Sequence, residues 1–302
     1  MNRLCAVLVL AAQLLLACAR EGDENLGLGE TPPPQAVERR QLGRIQGLVQ
    51  VATVPVAEAV RRLGSHRLEV HTKWYIVPPE RPGVDVQPVA MKEESLIESD
   101  GRGGLHVLHN NDHGLGSEAV LVDGVLYVRM RYAPYLRRRP EGDEVARLLA
   151  AAGDTAGALI QALAAWIKID AVEQAQVAGR PAFKLTLSRQ PSAQKDLRMM
   201  QAALPPAKLW RKAISVQSLE GAAVVDAQQG VLLGLRLAAS FQAPRGEGGP
   251  PVRIEVSHRS TVRSLGEPVT VQAPSESMEA VRPRPMVDWH ELLDGLVPGD
   301  PR

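Results

Sequence analysis

Side chains able to bind metal or transfer protons are concentrated between residues 106 and 113. The segment reads HVLHNNDH and contains His106, His109 and His113. Imidazole and carboxylate groups bind Zn²⁺ and similar ions. An odd separation places His106 and His109 on opposite faces of a strand, and Asn-Asn-Asp before His-Gly is typical of a turn. The pattern therefore favours a hairpin loop, with a metal-dependent enzyme as a weaker alternative.

Other catalytic patterns are missing from the sequence. A hydrolase needs a nucleophile held by a general base, yet there is no Gly-x-Ser-x-Gly elbow. Ser117 lies among residues typical of a loop. Neither a phosphate-binding loop nor a dinucleotide-binding fingerprint occurs. We therefore predict that the protein is not an enzyme and that it uses no cofactor.

The amino-terminal segment has the order of a secretory signal. Arg3 precedes an apolar run from Leu4 to Leu16, and the small residue Ala17 stands directly before Cys18. The run is shorter than the roughly 20 apolar residues needed to span a bilayer. Cys5 is removed with such a signal, so Cys18 is the one cysteine expected after processing and no disulfide is expected.

The letters LLAC that end at Cys18 resemble the lipobox of bacterial lipoproteins. The resemblance implies cleavage between Ala17 and Cys18, diacylglycerol on the Cys18 thiol and an acyl chain on the new amino terminus. It also implies that the lipoprotein processing and sorting machinery are partners. Ala19, where Asp favours inner-membrane retention, implies an outer-membrane protein facing the periplasm. Residues 1–17 are the predicted signal peptide, and residues 18–36 are the predicted lipidated Cys and flexible, Pro-rich tether.

Composition restricts the partners of the protein. A formal net charge of +1 predicts no binding to nucleic acid. The arginines between Arg129 and Arg139 are interpreted as solvated strand-edge or loop residues. Their alternative role is contact with anionic lipid head groups, the membrane itself being reached through the lipid anchor.

Period-two alternation dominates the middle of the chain. Leu68, Val70, Thr72, Trp74 and Ile76 share one face of a strand predicted over residues 67–77. A hairpin is predicted around Asp-Gly in residues 120–132. Further strands are predicted over residues 91–99, 104–109, 213–226, 231–241 and 252–262. The segment 177–187 is predicted to contain a turn at Gly179-Arg180-Pro181 and then a strand. Helices are predicted over residues 51–63, with Pro55 as an alternative start, over 144–169 with a break near 153–154, and over 194–204. These elements indicate an α+β fold with one large antiparallel sheet and a few helices.

Several hairpins are similar to those of LolA-like envelope lipoproteins: residues 122–129, 177–183, 219–233 and the closing segment 262–269. This group includes the periplasmic lipoprotein carrier, its outer-membrane lipoprotein receptor and mycobacterial lipid-transport lipoproteins. The resemblance covers residues 37–274. It implies a curved antiparallel half-barrel with a few helices covering its concave face, which accepts acyl chains.

The function predicted from this resemblance is non-catalytic binding of an acyl chain, a lipidated protein or another amphiphile. The alternative is an interaction, sensor or assembly module whose concave face is filled by its own side chains. The residues predicted to line the ligand site are Trp74, Leu126, Val128, Met130, Phe183, Leu235, Leu237, Phe241 and His258. His258 is interpreted either as a satisfied buried histidine or as a polar contact for the ligand head group. Residues 275–302 are interpreted as a Pro-rich carboxy-terminal tail.

Overall fold

The structure, a computed structural model, describes residues 33–79, 87–194, 214–245 and 249–280. The predicted signal peptide with Cys18 lies outside these residues. The helix predicted over 194–204 also lies outside them apart from its first residue, as does most of the predicted tail. Elements and contacts below refer to the described residues.

The strands form one sheet that contains two meanders joined at their centre. The first meander consists of β1 (Ser65–Val77), β2 (Val89–Asp100), β3 (Leu105–Asn111), β4 (Gly116–Val122), β5 (Val125–Met130) and β6 (Leu136–Arg138). The second consists of β7 (Ile167–Val177), β8 (Arg180–Arg189), β9 (Ser215–Asp226), β10 (Leu232–Arg245) and β11 (Gly249–Arg263). A short strand, β12 (Met278–Glu279), follows at the sheet edge.

Pairing between β1 and β11 joins the two meanders into a single sheet of 12 described strands. The spatial order is β12-β6-β5-β4-β3-β2-β1-β11-β10-β9-β8-β7. Neighbours are antiparallel except β12, which lies parallel to β6. The predicted α+β class with a large curved antiparallel sheet is confirmed. The beginning of the predicted tail, at Met278, is docked on the sheet through this pairing.

Helices cover one face of the sheet. They are α1 (Arg39–Leu42), α2 (Ile45–Ala52), α3 (Val56–Leu63), α4 (Glu144–Gly153) and α5 (Thr155–Leu163), with a 3-10 turn at Ala164–Trp166. We call the sheet face against which they pack the inner face and the opposite one the outer face. Their buried side chains form apolar clusters with the inner-face residues of the strands.

Helix boundaries differ from the prediction at two points. The helix predicted over residues 51–63 is divided, because Pro55 disfavours a helical residue before it and stands at the N-cap of α3. The long helix predicted over residues 144–169 is broken at Asp154, as expected, but its predicted end is wrong. Ile167 begins β7, where it is fully buried and paired with Arg189.

The predicted turns agree with the backbone. Asp123 and Gly124 have positive φ angles of 51° and 72°, as a two-residue hairpin turn requires. The turn predicted at residues 179–181 lies one residue earlier, at Ala178 and Gly179, which adopt the same region, and Arg180 already begins β8. No single described helix is long and apolar enough to cross a membrane, and only the bent pair 144–153 and 155–166 meets that length and composition together.

Candidate functional site

The half of the inner face formed by β8 to β11 is apolar and covered. Leu185, Leu235, Leu237 and Phe241 belong to one buried cluster. Helices α1, α2 and α5 contribute to the same cluster through these side chains: Leu42, Ile45, Leu48, Val51, Leu159, Ile160 and Leu163. The inner face over these strands is therefore filled by the chain's own helices.

The other half, formed by β1 to β3, carries polar pairs on the same face. The Thr72 hydroxyl and His258 Nδ1 lie 3.0 Å apart across β1 and β11. Ser95 Oγ lies 2.8 Å from His109 Nδ1 across β2 and β3. Because inner-face residues alternate along each strand, these pairs continue the rows that begin with Leu235 and Leu237.

A third polar contact borders the Thr72–His258 pair. The indole N–H of Trp74 donates a hydrogen bond of 2.8 Å to Glu93, which stands opposite Thr72 in β2. Trp74 is partly buried and packs against the large apolar cluster. Along the row that contains Leu237, the inner face thus changes from apolar in β10 to polar at His258 and Thr72. Other inner-face residues of the first meander, such as Ile97 and Val107, belong to a second buried apolar cluster.

His258 stands at this change. Its side chain is fully buried (0% exposed), and Nε2 has no hydrogen-bond partner among the described residues. Burial lowers the pKa of His258 to about 4, with a smaller contribution from His71. The imidazole is therefore neutral at neutral pH, as expected for a ring with no carboxylate partner.

The remaining predicted ligand residues fall into three environments. Leu126 is buried in a second cluster beneath α3 and α4, and Val128 packs against that cluster. Phe183 packs partly buried against the large cluster. Met130 faces the same side at the end of β5 but is 61% exposed. The set therefore shares the inner face without forming one pocket, and its role in binding a ligand stays a prediction.

The space left between helices and sheet is small. A cavity of about 60 Å³ lies beneath α2, α3 and α5, with His66 and Ser260 among its lining residues. For comparison, a cavity of about 150 Å³ holds one benzene molecule. An acyl chain does not fit this cavity unless the helices move away from the strands.

The outer face of the first meander carries a network of charged side chains. His106 Nδ1 lies 2.7 Å from Glu98, and Nε2 lies 2.8 Å from Glu118. Arg67 binds the other oxygen of Glu98, and Arg129 binds Glu118 while lying 4.4 Å from the ring centroid of Tyr135. Acidic and basic residues alternate across β1 to β5, and each of the two carboxylates is paired with one arginine.

The pKa values of this network follow its hydrogen bonds. Burial by itself raises the pKa of Glu98, but the hydrogen bonds from His106 and Arg67 outweigh it and lower that pKa. Burial and then the hydrogen bond to Glu118 raise the pKa of Tyr135 to about 12. The pKa of Glu118 is lowered because hydrogen bonds from Tyr135, Arg129 and His106 outweigh its burial.

An open groove of about 740 Å³ lies over this network. Its floor includes His106, Glu118 and Arg129, and its other wall is the extended segment 270–278. Sequence reasoning missed this arrangement, although period-two alternation places Glu98, His106 and Glu118 on one face of their strands. The missing information was the pairing of those strands.

The histidines of the sequence motif separate in space. The residues 111–115 form the predicted turn between β3 and β4, and His106 and His109 lie on opposite faces of β3 as expected. His113 Nε2 lies 3.2 Å from the Ala90 carbonyl oxygen. Among the described residues, no group of three His, Cys, Asp or Glu side chains is placed to hold a metal ion.

No family model and no curated protein matches the chain. Solved structures that match include a DUF1329 family protein from Desulfovibrio piger, 12% identical, with 71% of this chain and 92% of that chain covered at a TM-score of 0.21. MucB in complex with MucA(peri) is 17% identical, with 76% of this chain and 57% of that chain covered at a TM-score of 0.22.

An outer membrane lipoprotein-sorting protein domain from Vibrio parahaemolyticus is 8% identical, with 70% of this chain and 92% of that chain covered at a TM-score of 0.20. Because the TM-scores are far below 0.5, we derive function from the geometry of the sheet and its helices.

Proposed function

We propose that the protein is a lipid-anchored, non-catalytic binding protein of the bacterial envelope. Its ligand is an amphiphile whose acyl chain replaces helix side chains over the apolar half of the inner face. The supporting observation is the continuous buried apolar surface of β8 to β11, which is covered by short helices and not by a second sheet.

Two of the helices that cover this surface, α2 and α5, pack closely against each other. A Cβ atom at Gly157 would lie 2.2 Å from the Ala52 carbonyl oxygen, so α5 and α2 approach backbone to backbone. We expect these two helices to move away from the sheet as one unit. Each methylene of the entering chain that is transferred from water to the inner face contributes about 0.8 kcal/mol of binding free energy. This gain offsets the free energy that is lost when the helix side chains leave their apolar contacts.

Photocrosslinking tests where a lipid binds. The full chain is extracted in mild detergent, incubated with a diazirine-bearing palmitic acid, irradiated and mapped by peptide mass spectrometry. We expect crosslinks on inner-face residues such as Leu235, Leu237 and Trp74. The neighbouring outer-face residues Arg236 and Tyr75 serve as internal controls. A folded protein with no crosslinks, or with crosslinks on the outer face alone, contradicts the proposal.

The anchor is tested separately. Replacement of the thiol in Cys18→Ser should prevent lipid attachment, so the protein should move from the membrane fraction to the soluble fraction. Mass spectrometry of the amino-terminal peptide of the unchanged chain should show diacylglycerol and an acyl chain on Cys18. An unmodified Cys18 in the mature protein would contradict the anchor and leave the binding proposal untouched.

A second candidate function is a protein-interaction module of the same fold. The observation that favours it is the filled inner face, because buried Leu235 and Leu237 already have partners in the chain. Native mass spectrometry distinguishes the two candidates. A chain that carries no lipid after mild extraction and takes up none on addition favours the interaction module.

A further inference from the structure

His258 is an inner-face residue whose chemistry the apolar cluster does not explain. It belongs to β11, with Thr72 opposite it in β1 and Leu237 opposite it in β10. Its side chain is fully buried. Among the described residues Nδ1 has the Thr72 hydroxyl as partner, whereas Nε2 has none.

The contact with Thr72 is compatible with both neutral tautomers of the ring, and one of them leaves an unpaired donor. A threonine hydroxyl has one proton to donate, and the neutral imidazole has one donor and one acceptor nitrogen. If the Thr72 hydroxyl donates to Nδ1 at 3.0 Å, its proton is satisfied and Nε2 carries the ring proton. The unpaired group is then an N–H donor, which a hydrogen-bond acceptor would satisfy.

The position of this donor is defined by its neighbours. On one side, the row continues with Leu237, which is covered by helices. On the other side, it continues with Thr72 and Glu93, and Glu93 is already hydrogen-bonded to Trp74. An amphiphile lying along this row has its chain over Leu237 and its polar end at His258.

The charge of His258 restricts the acceptor. The pKa of the ring is lowered to about 4 by burial, so it is neutral at neutral pH. A neutral donor in an apolar site binds a carbonyl oxygen without requiring a full charge, and it also donates to a carboxylate. The chemistry shared by both is the oxygen of an acyl group.

We infer that His258 Nε2 donates a hydrogen bond to the acyl oxygen of a bound lipid whose hydrocarbon chain lies over Leu237. This inference rests on the proposed function. It assigns to His258 the recognition of the lipid head, and to the apolar half of the inner face the burial of the chain. A buried donor left unpaired is costly, so the free protein is destabilised at this point and binding removes the cost.

Binding measurements on three probes test the inference. Palmitic acid, monopalmitoylglycerol and hexadecane share the hydrocarbon chain, but only the first two contain acyl oxygen. The variants are His258→Leu and the matched control His71→Leu, because His71 is on the outer face of β1 with its side chain 51% exposed. Affinities are measured with the full chain in mild detergent by displacement of a fluorescent fatty acid.

We expect His258→Leu to lower the affinity for palmitic acid and for monopalmitoylglycerol by about 5- to 10-fold, the loss typical of one hydrogen bond. Hexadecane should be unaffected, and His71→Leu should bind all three probes like the unchanged chain. A loss confined to palmitic acid identifies a carboxylate ligand, and a loss for both identifies acyl oxygen in general. Equal losses for all three probes, or no loss, overturn the inference.

Nuclear magnetic resonance of the unchanged chain provides a readout that does not depend on folding of a variant. With histidines labelled, the Nε2 and Cε1 resonances of His258 should shift on addition of monopalmitoylglycerol but not of hexadecane. Palmitate should also raise the pKa of His258, because its carboxylate favours the charged ring. Binding of both oxygen-containing probes without a shift at His258 overturns the inference alone, whereas binding of none of the three overturns the proposed function.

Discussion

His106 and His258 lie on opposite faces of the same sheet and differ in every partner. His106, on the outer face, has a carboxylate oxygen within 2.8 Å of each ring nitrogen. His258, on the inner face, has one hydroxyl partner and a second nitrogen with none among the described residues. The outer site is thus internally satisfied, whereas the inner site retains a free hydrogen-bonding group.

The difference supports the placement of the proposed recognition at His258. A charged network whose members are paired, such as that of Glu98 and Glu118, stabilises strand pairing and has little to offer a ligand. An unpaired polar group inside an apolar face costs stability, and such groups in native proteins require an explanation. Residue type alone therefore does not select His258 as the candidate for recognition, whereas the partners of each histidine do.

The largest expected effect separates the two faces in one strand. Leu237→Ala removes a side chain that is 1% exposed within the inner cluster. It should lower the free energy of unfolding by about 2–5 kcal/mol, measured by urea denaturation. The neighbouring outer-face change Arg236→Ala should stay within about 0.5 kcal/mol. Similar losses for both would mean that the inner face is not the core.

A pH series tests the neutral state of His258. Because its pKa is lowered from 6.5 to about 4, the unfolded chain takes up a proton first, and the unchanged chain loses stability as the pH falls from 6.5 towards 4. The unfolding free energy of the unchanged chain, measured relative to that of Thr72→Val/His258→Leu, should therefore fall by about 3 kcal/mol between pH 7 and pH 4.

Two other titratable groups, His66 and Glu98, can be distinguished from His258 in this pH series. His66 also has a pKa lowered by burial, so the double variant should keep part of the slope in the same window. Glu98 has a pKa lowered from 4.5, so its contribution is lost only at pH values below 4.5. A difference that is constant with pH would show that His258 is not buried as a neutral ring.

Removal of His106 tests the satisfied site. His106→Leu leaves Glu98 and Glu118, both mostly buried, without a shared donor. The expected loss in unfolding free energy is about 1.5–3 kcal/mol, the range for hydrogen bonds to charged groups. The control His71→Leu, which removes an exposed contact of 3.8 Å to Glu94, should lose less than about 0.5 kcal/mol. Equal losses would refute the role given to the network.

The smallest effect concerns the edge of that network. The pKa of Tyr135 is raised to about 12, so the neutral phenol bound to Glu118 contributes stability that is lost as the pH rises from 10 towards 12. Absorbance at alkaline pH should show a tyrosine ionisation step near pH 12, and Tyr135→Phe should remove that step. Persistence of the late step in this variant would assign it to another tyrosine.

Much of the local structure could be predicted from the sequence. Alternation along residues 67–77 placed Thr72 and Trp74 on one face, and the Asp123-Gly124 turn was predicted correctly. The helix end at Ile167 was predicted incorrectly, because the local Ala- and Leu-rich composition favours a helix whereas pairing with β8 requires a strand. The predicted ligand residues share the inner face, which was predicted to be covered by helices, but the sequence left open whether that face is filled. Periodicity could not show that Leu237 is buried in a cluster with helix side chains while Met130 is 61% exposed.

The sequence by itself determined the lipobox interpretation at Cys18, the strand faces, the turns and the lack of a catalytic motif. Only the tertiary structure decided that β1 pairs with β11, which brings Thr72 to His258 across 186 positions of sequence. It also decided that Glu98 and Glu118 meet at His106 and that helices fill the apolar half of the inner face. The physical reason is that alternation specifies which way a side chain points, whereas its partners depend on strand order and on helix packing between distant segments.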